Sequence, residues 1–319
     1  MTGTNDGDEM TGTKLLRGFE GAADCRGGYV SIGNFDGVHR GHRRIIELLV
    51  RKARAADAPA VALTFDPHPI ALLRPEHAPP NLTTTEHKAE LLGRAGVDFV
   101  IAYPTDAALL ELTPREFFEC IVREKLAARG LVEGPNFFFG RDRTGNVETL
   151  RALCASAGMT LDIAEPFALE PEGRIVSSSA IRGLIAEGRM AEAVAALGHP
   201  YRVSGRIVPG AGRGRQLGFP TANLADIATL LPADGVYAGK AQVEGKPHPA
   251  AMHVGPNLTF DEAERKVECH LLDFSGALAG KLDVDLTARL RDTARFASGE
   301  ELEAQLTADC EQARALAAG

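Results

Sequence analysis

An α/β unit on a parallel sheet, followed by a small antiparallel β-barrel and one closing helix, is the fold class that this sequence predicts. The first observation is alternation. From Tyr29 to about residue 187, short apolar runs and amphipathic helical stretches take turns, which implies a parallel sheet with helices on both faces. The second is its loss. After Pro200 helical periodicity gives way to short strands set apart by glycine turns, the spacing of a barrel. The third is a terminal amphipathic stretch, Gly299 to Ala317.

The first strand is Tyr29 to Ile32, an apolar run with β-branched residues. It leads into Gly33-Asn34-Phe35-Asp36-Gly37-Val38-His39-Arg40-Gly41-His42. Gly33 and Gly37 permit backbone conformations closed to bulkier residues and let a ligand approach the main chain. A helix follows, with Ile45, Leu48, Leu49, Ala53 and Ala56 at three- and four-residue steps. A strand, a glycine turn and a helix N-terminus make an anion site, because unpaired N–H groups and the helix dipole point at the ligand. His39 and His42 can each donate to a phosphate oxygen. The competing readings are two surface histidines or a metal site, and the latter lacks a Cys/His cluster nearby to complete it.

Ala60 to Phe65 is the second strand, ending in Asp66-Pro67-His68-Pro69, which continues neither strand nor helix. Loops after strand C-termini form the ligand crevice of such sheets, so Asp66 and His68 are expected to face the pocket of His39 and His42. A proline-stiffened surface loop is the alternative. A helix is expected over Thr85 to Arg94 and a strand over Val97 to Tyr103. Thr113-Pro114-Arg115-Glu116 is a capping box with proline at the first helical position. Its helix runs to about Arg129 and buries Phe117, Ile121, Val122 and Leu126. Leu131-Val132 starts a fourth strand, ending in Gly134-Pro135-Asn136-Phe137-Phe138-Phe139-Gly140-Arg141. One or two of the phenylalanines are candidates to stack on a flat ring, and at least one is a core anchor. Met159 to Ala164 is a fifth strand. Ser177-Ser178-Ser179-Ala180-Ile181-Arg182 then supplies a helix N-cap plus hydroxyls and an arginine, a second anion cradle. A short helix spans Met190 to Leu197.

In the barrel region strands are expected over 201–208, 236–243, 250–254, 266–274 and 282–290. Pro209-Gly210-Ala211-Gly212-Arg213-Gly214-Arg215 is either a phosphate-cupping nest or a flexible hairpin tip, and without a Walker lysine it is no P-loop. On the strand from Lys266, Val267, Cys269 and Leu271 share one face and Glu268, His270 and Leu272 the other. Glu268 is therefore a candidate proton acceptor or an outward, solvated carboxylate.

A chain of 319 residues holds about two domains. A net charge of −8 argues against a nucleic-acid or anionic-membrane partner. The five cysteines are odd in number and form no C-x-x-C, which points to a reducing cytoplasm. No apolar run reaches the length of a membrane span, and the polar first residues hold no signal-peptide core. Residues 1–24 are expected to form a flexible tail.

Taken together, these strings resemble the prokaryotic bifunctional riboflavin kinase/FMN adenylyltransferase (FAD synthetase) family. Gly-Asn-Phe-Asp-Gly-Val-His-Arg-Gly-His looks like its HxGH nucleotidyltransferase motif, Thr-Phe-Asp-Pro-His-Pro like the segment after its second strand, and Asn-Phe-Phe-Phe-Gly like its flavin-side loop. Ser-Ser-Ser-Ala-Ile-Arg is similar to its Ser-Ser-Thr-x-Ile-Arg, Pro-Thr-Ala-Asn matches its kinase motif, and Val-Glu-Cys-His-Leu-Leu-Asp-Phe its glutamate strand. The resemblance implies a Rossmann-like adenylyltransferase domain over 25–187 and a riboflavin kinase domain over 188–319. It places ATP of the first on Gly33, Asn34, Phe35, Asp36, Gly37, Gly41, Ser178 and Ser179, with His39, His42 and Arg182 stabilising charge. FMN falls to Phe65, His68, Asn136 and Phe139. In the kinase, ATP falls to Gly210, Gly212, Arg213, Gly218, Thr221 and Asn223, Mg²⁺ to Thr221 and Asn223, the base role to Glu268 and a flavin contact to Arg291. The partners implied are riboflavin, FMN and ATP. The chain departs from the family where His253 replaces an asparagine, Leu258 a proline, and Ala279 a tyrosine. These departures support one rival, a monofunctional adenylyltransferase with a decayed barrel; a second rival, a non-catalytic flavin sensor, gives no reason to retain Glu268 with Thr221 and Asn223.

Overall fold

The computed structural model describes residues 12–169, 173–210, 214, 218–260 and 262–318. They form two compact units. The first comprises the chain up to Pro79 and Thr84–Val176; the second comprises Pro80–Thr83 and the chain from Ser177 onward.

The first unit is organised by a parallel sheet of β1 (Lys14–Arg17), β2 (Tyr29–Ile32), β3 (Ala60–Asp66), β4 (Phe99–Pro104), β5 (Gly130–Glu133) and β6 (Thr160–Ile163). The order across the sheet is β1-β4-β3-β2-β5-β6. Chain direction along the sheet reverses between β2 and β5, the topological switch point where such sheets open a ligand crevice. The edge strand β1 lies inside the expected tail; its Leu16 is buried in the core. Only Leu15 and Leu16 are apolar there, between Lys14 and Arg17, so nothing in the pattern marks a strand.

Alternate residues of each strand enter opposite cores. On one face, α1 (Arg40–Ala55) and α3 (Thr85–Arg94) bring Ile46, Leu49, Ala89 and Leu92 against Ala62, Val100 and Val132. On the other, Phe117, Phe118, Ile121 and Val122 cover Val30, Ile32, Leu63 and Leu131. These come from α5 (Pro114–Phe117) and the π-helical turn continuing it over Phe118–Lys125, so the helix stops short of Arg129. The Thr113–Glu116 capping box is present in both directions. Beyond the sequence expectations lie α2 (Pro69–Leu73), α4 (Ala107–Glu111), α6 (Val147–Ser156) and the small hairpin of β7 (Ala168–Leu169) and β8 (Arg174–Ile175). The helix α2 starts where helix seemed barred. Proline is tolerated at a first helical position, and His68 supplies the cap.

The second unit is a closed antiparallel barrel of β9 (Tyr201–Val208), β10 (Thr221–Ala225), β11 (Gly235–Val243), β12 (Lys246–Gly255), β13 (Lys266–Leu271) and β14 (Lys281–Arg291), ordered β10-β13-β12-β11-β14-β9. The strand β10 is additional to the five expected. It pairs with both β9 and β13 and closes the ring. The strand β13 ends at Leu271 rather than Phe274, because Asp273 turns the chain with φ 59°. Two helices precede the barrel, α7 (Ser178–Ala186) and α8 (Met190–Leu197), and α9 (Gly299–Ala318) follows it. The helix α7 packs on α8, and α8 on β9 and β14, so the compact units divide at Val176/Ser177, ahead of residue 187.

The helix α9 is pinned by a two-pronged ion pair. Arg291 Nε lies 2.9 Å from Asp309 Oδ1 and Nη2 lies 2.7 Å from Oδ2, with the carboxylate only 3% exposed. Removing one partner of a buried pair strands the other. Asp309→Ala is therefore expected to destabilise the barrel unit by about 3 kcal/mol, measured by urea unfolding.

Candidate active sites

In the first unit the loops leaving β2, β3 and β5 meet over the switch point. They line a cleft of about 440 Å³ that includes Gly33, Asn34, Phe65, His68, Asn136 and Phe139, within the size range of small-molecule sites. All four candidate flavin residues border it.

His39 caps α1: its Nδ1 accepts the N–H of His42 at 3.3 Å. A ring nitrogen that accepts carries no proton, so in the neutral ring Nε2 is the donor. His42 stacks on His39 with centroids 3.6 Å apart and planes 16° apart, and Phe35 meets its edge. Glycine at position 41 spares the stack a crowded contact, since a Cβ there would sit 3.1 Å from the His39 ring. Burial first, then the neighbouring His39 and Lys88, hold the His42 pKa well below the ordinary histidine range. Its Nδ1 is sealed without a partner although the residue keeps some exposure. Phe35 and Val38 adopt left-handed backbone at φ 45° and 36°, strain of the kind that gathers at functional turns.

A polar chain holds this turn from beneath. Lys88 Nζ donates to Thr64 Oγ1 at 3.2 Å, and that hydroxyl donates to the Asn34 carbonyl at 3.1 Å. Lys88 is buried. Burial lowers its pKa, while Asp36 and Asp66 pull it back. His68 Nδ1 accepts from Ile70 N, so its Nε2 carries the proton, and the 2.8 Å contact to the Asn34 amide is satisfied when the amide oxygen faces it. Lys88 was not among the sequence candidates, although it falls on the same helical stripe as Leu91 and Leu92.

Glu133 was also missed. At the end of β5 it is 2% exposed, and its Oε1 takes the N–H of Ile32 at 2.8 Å. Burial raises its pKa well above the usual 4.5, against that one hydrogen bond. The unfolded chain therefore binds fewer protons at this site above pH 4.5, and stability falls as pH rises from there toward the folded pKa. Glu133→Gln keeps an acceptor and removes the ionisation. It is expected to raise Tm by several degrees near pH 8 and not near pH 4.5, by calorimetry across pH.

Among the three phenylalanines, Phe139 is the core anchor against Phe117, Phe137 stacks on Phe139, and Phe138 is exposed with Arg143 over its face. Ser178, Ser179 and Arg182 belong to the second unit. There Ser177 is the cap of α7, accepting from Ala180 N, which leaves Ser178 and Ser179 in the first turn. Arg182 Nε donates to the Pro80 carbonyl at 2.8 Å.

The barrel site is a product of register. Asn223 on β10 and His253 on β12 each stand directly opposite Glu268 on β13, and Thr221 stands opposite His270. On β13, Val267, Cys269 and Leu271 are buried, while Glu268 and His270 face a cavity of about 150 Å³ with Thr221, Asn223 and Arg291. The helix α9 adds Leu302 and Leu306. Asn257 Nδ2 donates to Glu268 Oε1 at 3.3 Å. His270, a residue that sequence reasoning gave no role, donates from Nδ1 to the Pro220 carbonyl at 2.7 Å and so fixes the start of β10. A Cβ on Gly210 would fall 2.0 Å from Asn223 Nδ2, so only glycine lets that amide lie where it does. Gly218 takes φ 83° and has open space beside it. Gly212 and Arg213 lie outside the described residues. Arg291 borders the cavity, but its guanidinium is engaged by Asp309.

Comparison with known proteins finds two families in order along the chain. A family model described as FAD synthetase matches residues 22–180, and one described as riboflavin kinase matches 197–317. The Escherichia coli K12 bifunctional riboflavin kinase/FMN adenylyltransferase is 35% identical over 301 residues, covering 93% of this chain and 95% of that protein. The protein of the same description from Pseudomonas fluorescens is 35% identical, covering 96% and 98%. A solved Streptococcus pneumoniae chain, described as a macrolide-efflux protein, superposes with a TM-score of 0.83 at 31% identity, over 95% of this chain and 98% of that one. No helix among the described residues is long and apolar enough to cross a membrane. With both halves matched in order and the relatives covered almost end to end, the chain belongs to the bifunctional riboflavin kinase/FMN adenylyltransferase family.

Proposed function

We propose that this chain makes FAD from riboflavin in two steps, FMN in the barrel unit and FAD in the sheet unit. The observation that carries the reading is the barrel row: Asn223 directly opposite Glu268, with Thr221 on the same cavity. Glu268 takes the proton of the riboflavin 5′-hydroxyl as that oxygen attacks the γ-phosphorus of ATP and ADP leaves. The hydroxyl of Thr221 and amide oxygen of Asn223 are hard donors. No cluster of three or more His, Cys, Asp or Glu among the described residues could hold a metal by itself. Two protein oxygens suit Mg²⁺, which keeps waters and shares phosphate oxygens, and when bound it neutralises phosphate charge.

In the sheet unit an FMN phosphate oxygen attacks the α-phosphorus of ATP and pyrophosphate leaves. No protein nucleophile is required. His39 and His42 supply N–H donors at a helix N-terminus, and the turn of Gly33 to Gly37 supplies backbone approach; both act by positioning and charge stabilisation. Phe65, His68, Asn136 and Phe139 form the FMN side of the cleft. The first-turn hydroxyls Ser178 and Ser179, with Arg182, give α7 an anion-binding end of its own. All five cysteines are unpaired, which supports a cytoplasmic setting.

Incubation with riboflavin, ATP and Mg²⁺, followed by chromatography, tests the reading. FMN and FAD together are expected. FAD only from added FMN would favour the decayed barrel, and no product the sensor.

A further inference from the structure

Of the three barrel residues that depart from the family pattern, His253 sits in the row that holds the base. His253 stands directly opposite Glu268, on the side away from Asn223. Directly opposed residues of an antiparallel pair project to one face about 5 Å apart, and both side chains line the cavity under α9. Its polar neighbours are already engaged: Asn257 by Glu268, Arg291 by Asp309, His270 by Pro220. His253 is not. Its Nδ1 is sealed without a hydrogen-bond partner, which leaves Nε2 as the edge a ligand can reach. Burial and Arg291 hold the ring neutral against the pull of Asp234 and Asp309. A neutral imidazole offers one donor and one acceptor.

One wall of this cavity is apolar, with Leu302 and Leu306; the other is the polar row. A ligand with a flat ring and a chain of hydroxyls satisfies both walls. A hydroxyl both donates and accepts, so it pairs with either tautomer of the ring. We infer that His253 is a specificity-determining residue of the barrel site, hydrogen-bonding an inner hydroxyl of the acceptor's sugar-alcohol chain beside the terminal hydroxyl that Glu268 deprotonates. This rests on the kinase reading above.

The test compares two acceptors on the full-length chain with MgATP. Riboflavin carries the inner hydroxyls; a flavin with a 5-hydroxypentyl chain at N10 keeps only the terminal one. A site built to bond a hydroxyl discriminates strongly against an analogue that lacks it. His253→Phe is expected to lower kcat/KM for riboflavin about tenfold or more and to leave the hydroxypentyl flavin within about twofold. His253→Gln, which retains a donor and an acceptor, is expected to recover part of the loss. FMN adenylylation by the same variants reports that the chain is folded. An equal loss on both acceptors would reduce His253 to a structural role, and no loss on riboflavin would remove it from the site. If the unaltered chain phosphorylated neither flavin, the kinase reading itself would fall, and the inference with it.

Discussion

Glu268→Gln is expected to lower FMN formation from riboflavin by about 100- to 10,000-fold, the usual contribution of a positioned general base, while FAD formation from added FMN continues at the unaltered rate. The glutamine keeps the shape of the side chain and the oxygen that receives the Asn257 amide. It removes only the capacity to take a proton. The loss should fall on kcat, because the carboxylate acts on the hydroxyl as the new bond forms rather than in holding the flavin. Initial rates with each flavin, on one preparation, measure both arms. Loss of both reactions in a folded protein would overturn the assignment of one chemistry to each unit.

The reverse pattern is expected at the sheet site. His39→Asn together with His42→Gln should lower FAD formation by at least about 100-fold and leave FMN formation intact. Asparagine is chosen because His39 has two jobs. Its Nδ1 caps α1, and asparagine is among the best capping residues, whereas alanine loses about 1 kcal/mol of helix stability. The double variant therefore deletes ring donors without uncapping the helix. If the pair served only to cap and pack, FAD synthesis would survive and only Tm would move.

Much of this architecture could be read from residue patterns, because the periods were clean. The capping box at Thr113 and the alternation along β13 each depend on near neighbours, and each has its expected form, whereas the stripe of α1 is rotated, with Ile46 buried beside Leu49 and Ala53 and with Ile45 and Leu48 at its margin. What escaped notice depends on partners distant in the chain. The strand β10 contains Ala222 and Asn223, poor strand formers, and is strand only because β9 and β13 hold it on both sides. Lys88 and Glu133 are charged residue types on apolar faces. Their burial is tolerated because Thr64 and the Ile32 amide receive them, and neither partner is close in sequence. The two histidines were legible as a pair, but not the ring stack or the cap.

That stack has a consequence for inorganic chemistry. Imidazoles lying flat on one another keep their lone pairs in nearly parallel planes, and one of those lone pairs is already occupied by a backbone amide. A tetrahedral first-row ion needs converging donors. The His-x-x-His string, which on paper invites chelation, is folded instead into a cap and a stack, with Nδ1 of one ring taken by an amide and Nδ1 of the other sealed in the protein.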